Sequence, residues 1–195
     1  VQLTAQLMSL MMDLFGKIID ARPKKLINIG SGAEFDKTTP IVKATEDDIP
    51  TTYLDDYARA KHDQEYIINH YLKDAVHLRA WAVWGKGEKN RFITTSIQHA
   101  LKKEAIEVFK NVKFTWIYID DFLRIVDWYI MNTGKYKTYN LGGHDLTLYQ
   151  IAKKIQQKIK VPIKINDSGM GNEYTADSRR LDKELGFVYE PFDVS

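Results

Sequence analysis

The sequence predicts an α/β fold built on a parallel sheet. Short apolar runs such as "KKLINIG" alternate with longer segments whose apolar residues recur at helical spacing. Two of the runs end in small-residue turns, "GSG" at 30–32 and "WGKG" at 84–87. Strands that alternate with helices favour a parallel sheet, and the ligand crevice of such a sheet lies at the carboxyl ends of its strands. Both turns are therefore candidate site segments.

The chain opens with a predicted helix. Its first residues have no basic start and no small-residue cleavage site, which argues against a signal peptide. Apolar residues recur there at helical spacing and predict a helix with one buried face. The residues on that face are Leu3, Leu7, Leu10, Leu14 and Ile18.

The other predicted elements follow from local patterns and stop signals. Asp120 or Asp121 is expected to cap one helix, Thr147 and Gln150 have capping-box spacing, and Gly186 marks a helix end. A polar loop is predicted for about 36–52. Predicted helices cover about residues 54–72, 92–103, 121–132, 148–159 and 177–186. Predicted strands cover about residues 24–30, 75–85, 105–109, 113–119, 139–142 and 161–166.

Composition excludes several classes of function. A net charge of +2 over 195 residues argues against a broad nucleic-acid or membrane-binding surface. No apolar run approaches the roughly 18 residues of a membrane span. The absence of cysteine excludes disulfides, thiolate catalysis and cysteine-bound metal, and with no membrane span it favours a cytoplasmic protein. Five histidines show no HExxH motif, so we expect no metal site.

The stretch "LDDYARAKHDQE" places Tyr57 and Lys61 four residues apart, on one face of a predicted helix. A phenol with a pKa of about 10 is a poor base unless a nearby cation stabilises the phenolate. Lys61 would supply that cation, while Ser31, at the end of an earlier strand, could hold the substrate oxygen. Such a triad suits hydride transfer at a carbinol carbon. An exposed helix face is the alternative for the Tyr–Lys pair alone, since the pattern is common.

The order of motifs around this pair resembles a known family. The chain is similar to extended short-chain dehydrogenases/reductases of the NAD-dependent epimerase/dehydratase family, which act on nucleotide sugars. The resemblance extends from about Lys25 to Gly186 and implies a Rossmann-like, doubly wound parallel sheet with a small α/β substrate-binding region. The matching motifs, in order, are "SGAEFD", "EDDIP", "YARAK", "LRAWAVWG", "WIYIDD" and "YNLG".

The resemblance also implies roles for particular residues. It makes Ser31, Tyr57 and Lys61 the catalytic triad. It implies a homodimer formed through the first helix and the Tyr57 helix, with Met8, Met11 and Met12 as candidate interface residues. The residues implied to contact NAD or NADP are Gly30, Tyr57, Lys61, Trp81, Ala82 and Val83. Those implied to contact a nucleotide-sugar substrate are Ser31, Gly32, Ala33 and Arg91.

Three departures from the family pattern narrow the expected reaction. Sugar dehydratases of the family carry acidic residues directly after the serine or threonine, where this chain has Gly32 and Ala33. Bifunctional epimerase-reductases carry a cysteine at the position of Ala33. What remains is redox at one carbinol, in a 4-epimerase or a 4-ketoreductase. Ala82 replaces the family's asparagine and removes an amide donor towards the substrate, so the motif does not indicate which sugar is bound.

A dinucleotide site needs a glycine-rich turn between its first strand and helix. None of the eleven glycines shows that arrangement. We therefore expect the first half of the nucleotide-binding sheet to lie upstream of this chain, which alone would be incomplete. Residues 1–85 would be the C-terminal half of the NAD(P)-binding domain, and 86–195 mainly the substrate-binding region, with 114–133 returning to the Rossmann sheet.

Two rival interpretations remain at this point. The motif "YIDD" at 118–121 matches polymerases that hold two metal ions with paired aspartates. A polymerase hairpin would continue as a strand, whereas "FLRIVDWYIMN" has helical spacing. A catalytically incomplete scaffold or interaction subunit is the second alternative, because the glycine-rich turn is missing.

Overall fold

A computed structural model describes residues 2–36, 38–50, 52–53, 55–166 and 172–194, without the side chains of residues 2–8 and 11. The helices are α1 (Gln2–Ala21), α2 (Asp56–Tyr71), α3 (Phe92–Leu101), α4 (Ile119–Met131), α5 (Leu148–Ile159) and α6 (Arg179–Leu185), with a short 3-10 helix at Gly32–Glu34. The strands are β1 (Leu26–Ser31), β2 (Ile41–Ala44), β3 (Ala75–Ala80), β4 (Ala82–Trp84), β5 (Ile106–Val108), β6 (Val112–Tyr118), β7 (Thr138–Asn140), β8 (His144–Thr147), β9 (Ile163–Ile165) and β10 (Asn172–Ala176).

The strands form three small, mainly parallel sheets. The first has the order β1-β3-β7 and is parallel throughout. The second has the order β2-β10-β6-β4, with β8 antiparallel to β6. A two-stranded sheet joins β5 to β9. The α/β class with parallel strands is therefore confirmed, and β1 lies at an edge of the first sheet.

The predicted single strand at 75–85 is wrong in one respect, because the chain changes sheets at Trp81. β3 pairs with β1 and β7, whereas β4, one residue later, pairs with β6. The Trp81 ring is buried between Phe35 and Tyr174, at centroid distances of 5.6 and 4.5 Å. Its indole N–H donates to Asn140 Oδ1 at 3.2 Å. These contacts fix the bend and bring both sheets to one crevice.

The α1 helix is present, and of its predicted buried face Ile18 is partly buried and packs against α2, whereas Leu10 and Leu14 do not. Leu10 and Leu14 are 65% and 52% exposed. Phe15 is buried instead, in a cluster with Ile68 of α2, because α2 is the helix against which α1 packs. Met12 is also exposed. The side chains of Leu3, Leu7, Met8 and Met11 lie outside the described residues.

Asp121 does not cap α4 as predicted, nor does Asp120. The cap position is Tyr118, which makes no side-chain capping bond. Asp121 is buried and accepts hydrogen bonds from the backbone N–H of Glu190 and from Arg124, so it anchors the C-terminal segment. The helix that follows "YIDD" is the feature expected to distinguish this chain from a polymerase hairpin.

Two helix signals are confirmed. Thr147 and Gln150 form a reciprocal capping box at the start of α5. Gly186 ends α6 with a positive φ of 59°. Strands β2, β8 and β10 were not predicted. None of the described helices combines the length and the hydropathy needed to cross a lipid bilayer.

Candidate active site

A cavity of about 440 Å³ opens where the first and second sheets meet. It lies at the carboxyl ends of β1 and β3, as expected for a parallel sheet. Gly32 and Ala33 adjoin this cavity without lining it. The predicted site residues that line it are Gly30, Ser31, Tyr57, Lys61, Trp81, Ala82, Val83 and Arg91.

Ser31 ends β1 and caps the 3-10 helix that follows. Its Oγ accepts a hydrogen bond from Ala33 N at 3.1 Å, and its own N–H donates to Glu34 Oε1 at 3.2 Å. This capping box fixes the serine with its hydroxyl at the cavity. A short polar residue followed three residues later by Glu satisfies the free amides of a helix start.

Tyr57 and Lys61 occupy successive turns at the start of α2. Asp55 caps this helix by accepting from Ala58 N at 2.8 Å. Tyr57 is half exposed, and the Lys61 ammonium lies 5.9 Å from the centroid of its ring. Lys61 donates to the Ile29 carbonyl at 3.1 Å, which ties α2 to β1. Burial lowers the pKa of Lys61, although the negative charge of Glu34 acts in the opposite direction and raises it.

A buried charge network lies beneath these three residues. Arg79 of β3 is 1% exposed and donates to Glu34 Oε2 at 2.9 Å and to Glu65 Oε2 at 2.6 Å. Glu34 is three residues from Ser31, and Glu65 is one turn of α2 beyond Lys61. The guanidinium therefore connects the serine turn to the Tyr–Lys helix.

His77 and Asn140 extend the network along β3 and β7. The His77 Nδ1 contacts Asn28 Nδ2 at 2.8 Å, and its Nε2 lies 3.1 Å from Glu34 Oε1. Because an amide N–H₂ can only donate, Nδ1 accepts and Nε2–H donates to Glu34. Arg79 also donates to Asn140 Oδ1, which in turn accepts from the Trp81 indole.

The side chains of Glu34, Glu65 and His77 lie close enough together to hold a metal ion. Arg79 already places a positive charge between the two carboxylates. Burial alone would raise the pKa of Glu65, but the positive charge of Arg79 outweighs this and lowers that pKa to about 2. The cluster is therefore a compensated ion-pair network, in which the guanidinium takes the place that a metal would need.

At two positions of this site only glycine fits, because a neighbouring side chain lies against the backbone. A Cβ on Gly30 would lie 2.0 Å from His77 Nε2. A Cβ on Gly32 would lie 2.6 Å from the Trp81 ring and 2.7 Å from the Tyr174 hydroxyl. Any larger residue at either position would displace a ring or break the network.

The far side of the cavity consists of residues that the sequence analysis did not assign to the site. Trp116 is 5% exposed and lines the cavity. No motif or charge pattern in the sequence distinguishes these residues from ordinary strand, helix and loop positions. The additional lining residues are Ile29, Ala80, Glu88, Phe92, Phe114, Trp116, Leu148 and Tyr174.

Part of the buried charge network could have been suspected from the sequence. His77 and Arg79 are two residues apart in the otherwise apolar run "AVHLRA", so they lie on one face of a strand. A buried arginine needs carboxylate partners. Glu34 and Glu65 could not be chosen from the sequence, since 45 and 14 residues separate them from Arg79.

The fold and the site combine a Tyr–Lys helix with a parallel sheet whose strands end at one cavity. The model of the NAD dependent epimerase/dehydratase family matches residues 1–142, so the chain belongs to that family. No curated protein matches the chain.

Solved structures share the fold at low sequence identity. The dTDP-glucose 4,6-dehydratase of Bacillus anthracis, in complex with NAD, has a TM-score of 0.79 at 15% identity and covers 93% of this chain. The enzyme WbmG of Bordetella bronchiseptica, in complex with NAD, has a TM-score of 0.78 at 16% identity over 94%. The UDP-glucose 4-epimerase of Thermotoga maritima, with UDP-glucose, has a TM-score of 0.76 at 20% identity over 93%. The chain spans 61%, 60% and 63% of these structures respectively.

Replacing Arg79 with methionine should destabilise the protein by about 3–5 kcal/mol, because two buried carboxylates lose their counter-charge. Urea denaturation measures this change. Arg59→Met on the exposed side of α2 is the matched control and should leave the free energy of unfolding nearly unchanged. Equal stability of the two variants would show that the network contributes nothing.

Acid should weaken the fold through Glu65. Its folded pKa of about 2 lies below the ordinary value of 4.5, so its stabilisation is complete above about pH 4.5 and is lost as the pH falls towards about 2. The free energy of unfolding of Glu65→Gln should therefore decline less over this range than that of the unmodified protein. Glu190→Gln, at an exposed carboxylate, should keep the full decline. Parallel curves for all three proteins would contradict the assignment.

Proposed function

We propose that this chain carries the catalytic part of an NAD(P)-dependent nucleotide-sugar 4-epimerase or 4-ketoreductase. The single observation that supports this is that Ser31, Tyr57 and Lys61, from two separate elements, line one cavity with the Trp81–Val83 segment. Several structural neighbours were solved with NAD, NADP or UDP-glucose, which supports the same class of reaction.

In the proposed reaction the chain's own residues handle the proton at the carbinol oxygen. Tyr57 as phenolate takes the hydroxyl proton while the hydrogen on the same carbon leaves as hydride. The Lys61 ammonium favours the phenolate by its charge, and Ser31 donates a hydrogen bond to the developing carbonyl oxygen. A bound nicotinamide supplies the hydride acceptor. In reverse, Tyr57 returns the proton.

The cavity suits the nicotinamide end of the cofactor. Gly30, Ala80 and Ala82 leave room along one side, and the half-buried Lys61 offers donors to a ribose. Within the part of the chain that the structure describes, no strand pairs with the outer edge of β1. That open edge supports the proposal that residues outside this chain supply the other nucleotide-binding half, with 1–85 as its C-terminal half and 86–195 mainly as the substrate-binding region. Of the predicted return at 114–133, strand β6 pairs in the second sheet, whereas β7 pairs with β3 in the first.

The residues after Ser31 favour redox over dehydration. Gly32 and Ala33 carry no acid or base, and the Gly32 backbone approaches Trp81 too closely for a side chain. We propose that Arg91 contacts the diphosphate of the substrate at the cavity mouth. We also propose a homodimer through α1 and α2, whose exposed apolar residues include Leu10, Met12 and Leu14.

A scaffold without catalysis is the second candidate, and the missing glycine-rich turn favours it. Isothermal titration calorimetry of the protein from the complete reading frame with NAD and NADP separates the enzyme from the scaffold. Binding of either dinucleotide supports the enzyme, and binding of neither supports the scaffold.

Replacing Tyr57 with phenylalanine should lower kcat/KM roughly 100- to 10,000-fold, the usual contribution of a general acid or base. Tyr66→Phe is the matched control, since Tyr66 lies on the same helix and is likewise 50% exposed. Its activity should be unchanged. Activity is measured both as conversion of a nucleotide sugar to its 4-epimer and as reduction of NAD or NADP, and equal rates for both variants would refute the role of Tyr57.

A further inference from the structure

A second cavity, of about 250 Å³, lies at the end of the first sheet opposite the proposed active site. β1, β3 and β7 are parallel, and the segments that lead into all three strands line this cavity. Asp74 is the one carboxylate among the described residues of the lining, whereas lysine occurs there five times. The residues that define this lysine cavity are Lys24, Lys25, Lys73, Lys135 and Lys137. The excess of positive charge is large for a chain whose net charge is +2.

Two of the five lysines hold helix ends next to the cavity. Lys25 Nζ donates to three carbonyl oxygens at the carboxyl end of α4, at 2.9, 3.0 and 2.9 Å. Lys137 Nζ donates to two carbonyl oxygens at the carboxyl end of α2, at 3.0 and 2.7 Å. The last carbonyls of a helix carry partial negative charge and would repel an anion. These two lysines therefore neutralise the helix ends and fix the walls of the cavity.

The other three lysines keep their charges available to a ligand. Lys24, Lys73 and Lys135 are exposed, and within the described ranges their ammonium groups form no ion pair and no hydrogen bond. They come from three separate segments, before β1, before β3 and between α4 and β7. Like charges gathered at one cavity repel one another, and a bound anion would remove that repulsion. Lysine binds phosphate groups as a point charge.

We infer that the lysine cavity binds a small phosphate anion, of about the size of pyrophosphate. Ligand pockets for drug-sized molecules measure roughly 300–1,000 Å³, so a cavity of about 250 Å³ suits a more compact ligand. The same chemistry is present in free pyrophosphate and in the terminal phosphates of a nucleotide, of which only the phosphates would enter the cavity. The inference is independent of the proposed function, because Arg91 and the proposed triad line the other cavity.

Isothermal titration calorimetry with pyrophosphate and with UDP, at low ionic strength, tests this inference on the protein from the complete reading frame. The triple variant Lys24→Gln/Lys73→Gln/Lys135→Gln should raise the Kd of the bound anion roughly 10- to 100-fold. Each exposed ion pair contributes modestly, and three are removed together. The fold should persist, because Lys25 and Lys137, which hold the helix ends, are unchanged.

The matched control is the triple variant Lys102→Gln/Lys110→Gln/Lys160→Gln. These lysines are exposed and lie outside the lysine cavity, so the net charge falls by the same amount and the Kd should stay the same. Arg91→Gln should also keep the binding that depends on the cavity lysines, which separates this cavity from the proposed contact with the substrate diphosphate.

The two anions distinguish the sources of the phosphate. Lysine-dependent binding of pyrophosphate would support a free anion as the ligand, and such binding of UDP alone would support the end of a nucleotide. Equal affinity of the two triple variants would overturn the inference, as would no binding of either anion by the unmodified protein. Loss of all binding in Arg91→Gln would place the anion in the other cavity and would equally overturn it.

Discussion

The pair of ion contacts that Arg79 makes with Glu34 and Glu65 is the constraint on which the site depends. It joins the turn after β1, the middle of α2 and the carboxyl end of β3 through one buried guanidinium. Removing Arg79 would leave two carboxylates without a counter-charge in a medium where an unpaired ion is very costly. Because Glu34 also holds the Ser31 amide, and Glu65 follows Lys61 by one helical turn, the network sets the spacing of the proposed triad.

A second constraint is the change of sheet at Trp81. The chain passes from β3 to β4 within one residue, so the carboxyl ends of two sheets converge. The Trp81 ring occupies the junction and needs Gly32 opposite it, since a Cβ there would lie 2.6 Å from the ring. Gly32, whose lack of an acidic side chain supports redox over dehydration in the proposed function, is therefore also required for packing against Trp81.

Much of this arrangement could be predicted from the sequence. The order of strand, serine turn and Tyr–Lys helix placed Ser31, Tyr57 and Lys61 at one crevice, and the structure brings them to one cavity. Local patterns located all six α-helices found among the described residues, because helical patterns are local. The buried face of α1 was predicted only in part, since Ile18 is packed but Leu10 and Leu14 are exposed. Periodicity shows that a helix has an apolar face and does not show what covers it.

The rest depended on long-range contacts. The partners of Arg79 come from two distant segments, and only tertiary packing brings them together. β3 and β4 share one apolar pattern, so nothing in "AVHLRAWAVWG" marks the change of sheet. Strands β2, β8 and β10 have four or five residues of mixed polarity, and neighbouring strands rather than their own pattern stabilise them.

The central claim is that the cavity oxidises one carbinol by hydride transfer. The most direct measurement uses a nucleotide sugar deuterated at C4, incubated with the protein from the complete reading frame and NAD or NADP. Mass spectrometry of the cofactor and of the sugar should find the deuterium on the nicotinamide ring for net oxidation, or back at C4 of the epimerised sugar for a 4-epimerase, with Ser31→Ala and Tyr57→Phe slowing either outcome. Loss of the C4 deuterium to solvent, with none on the cofactor, would contradict the account.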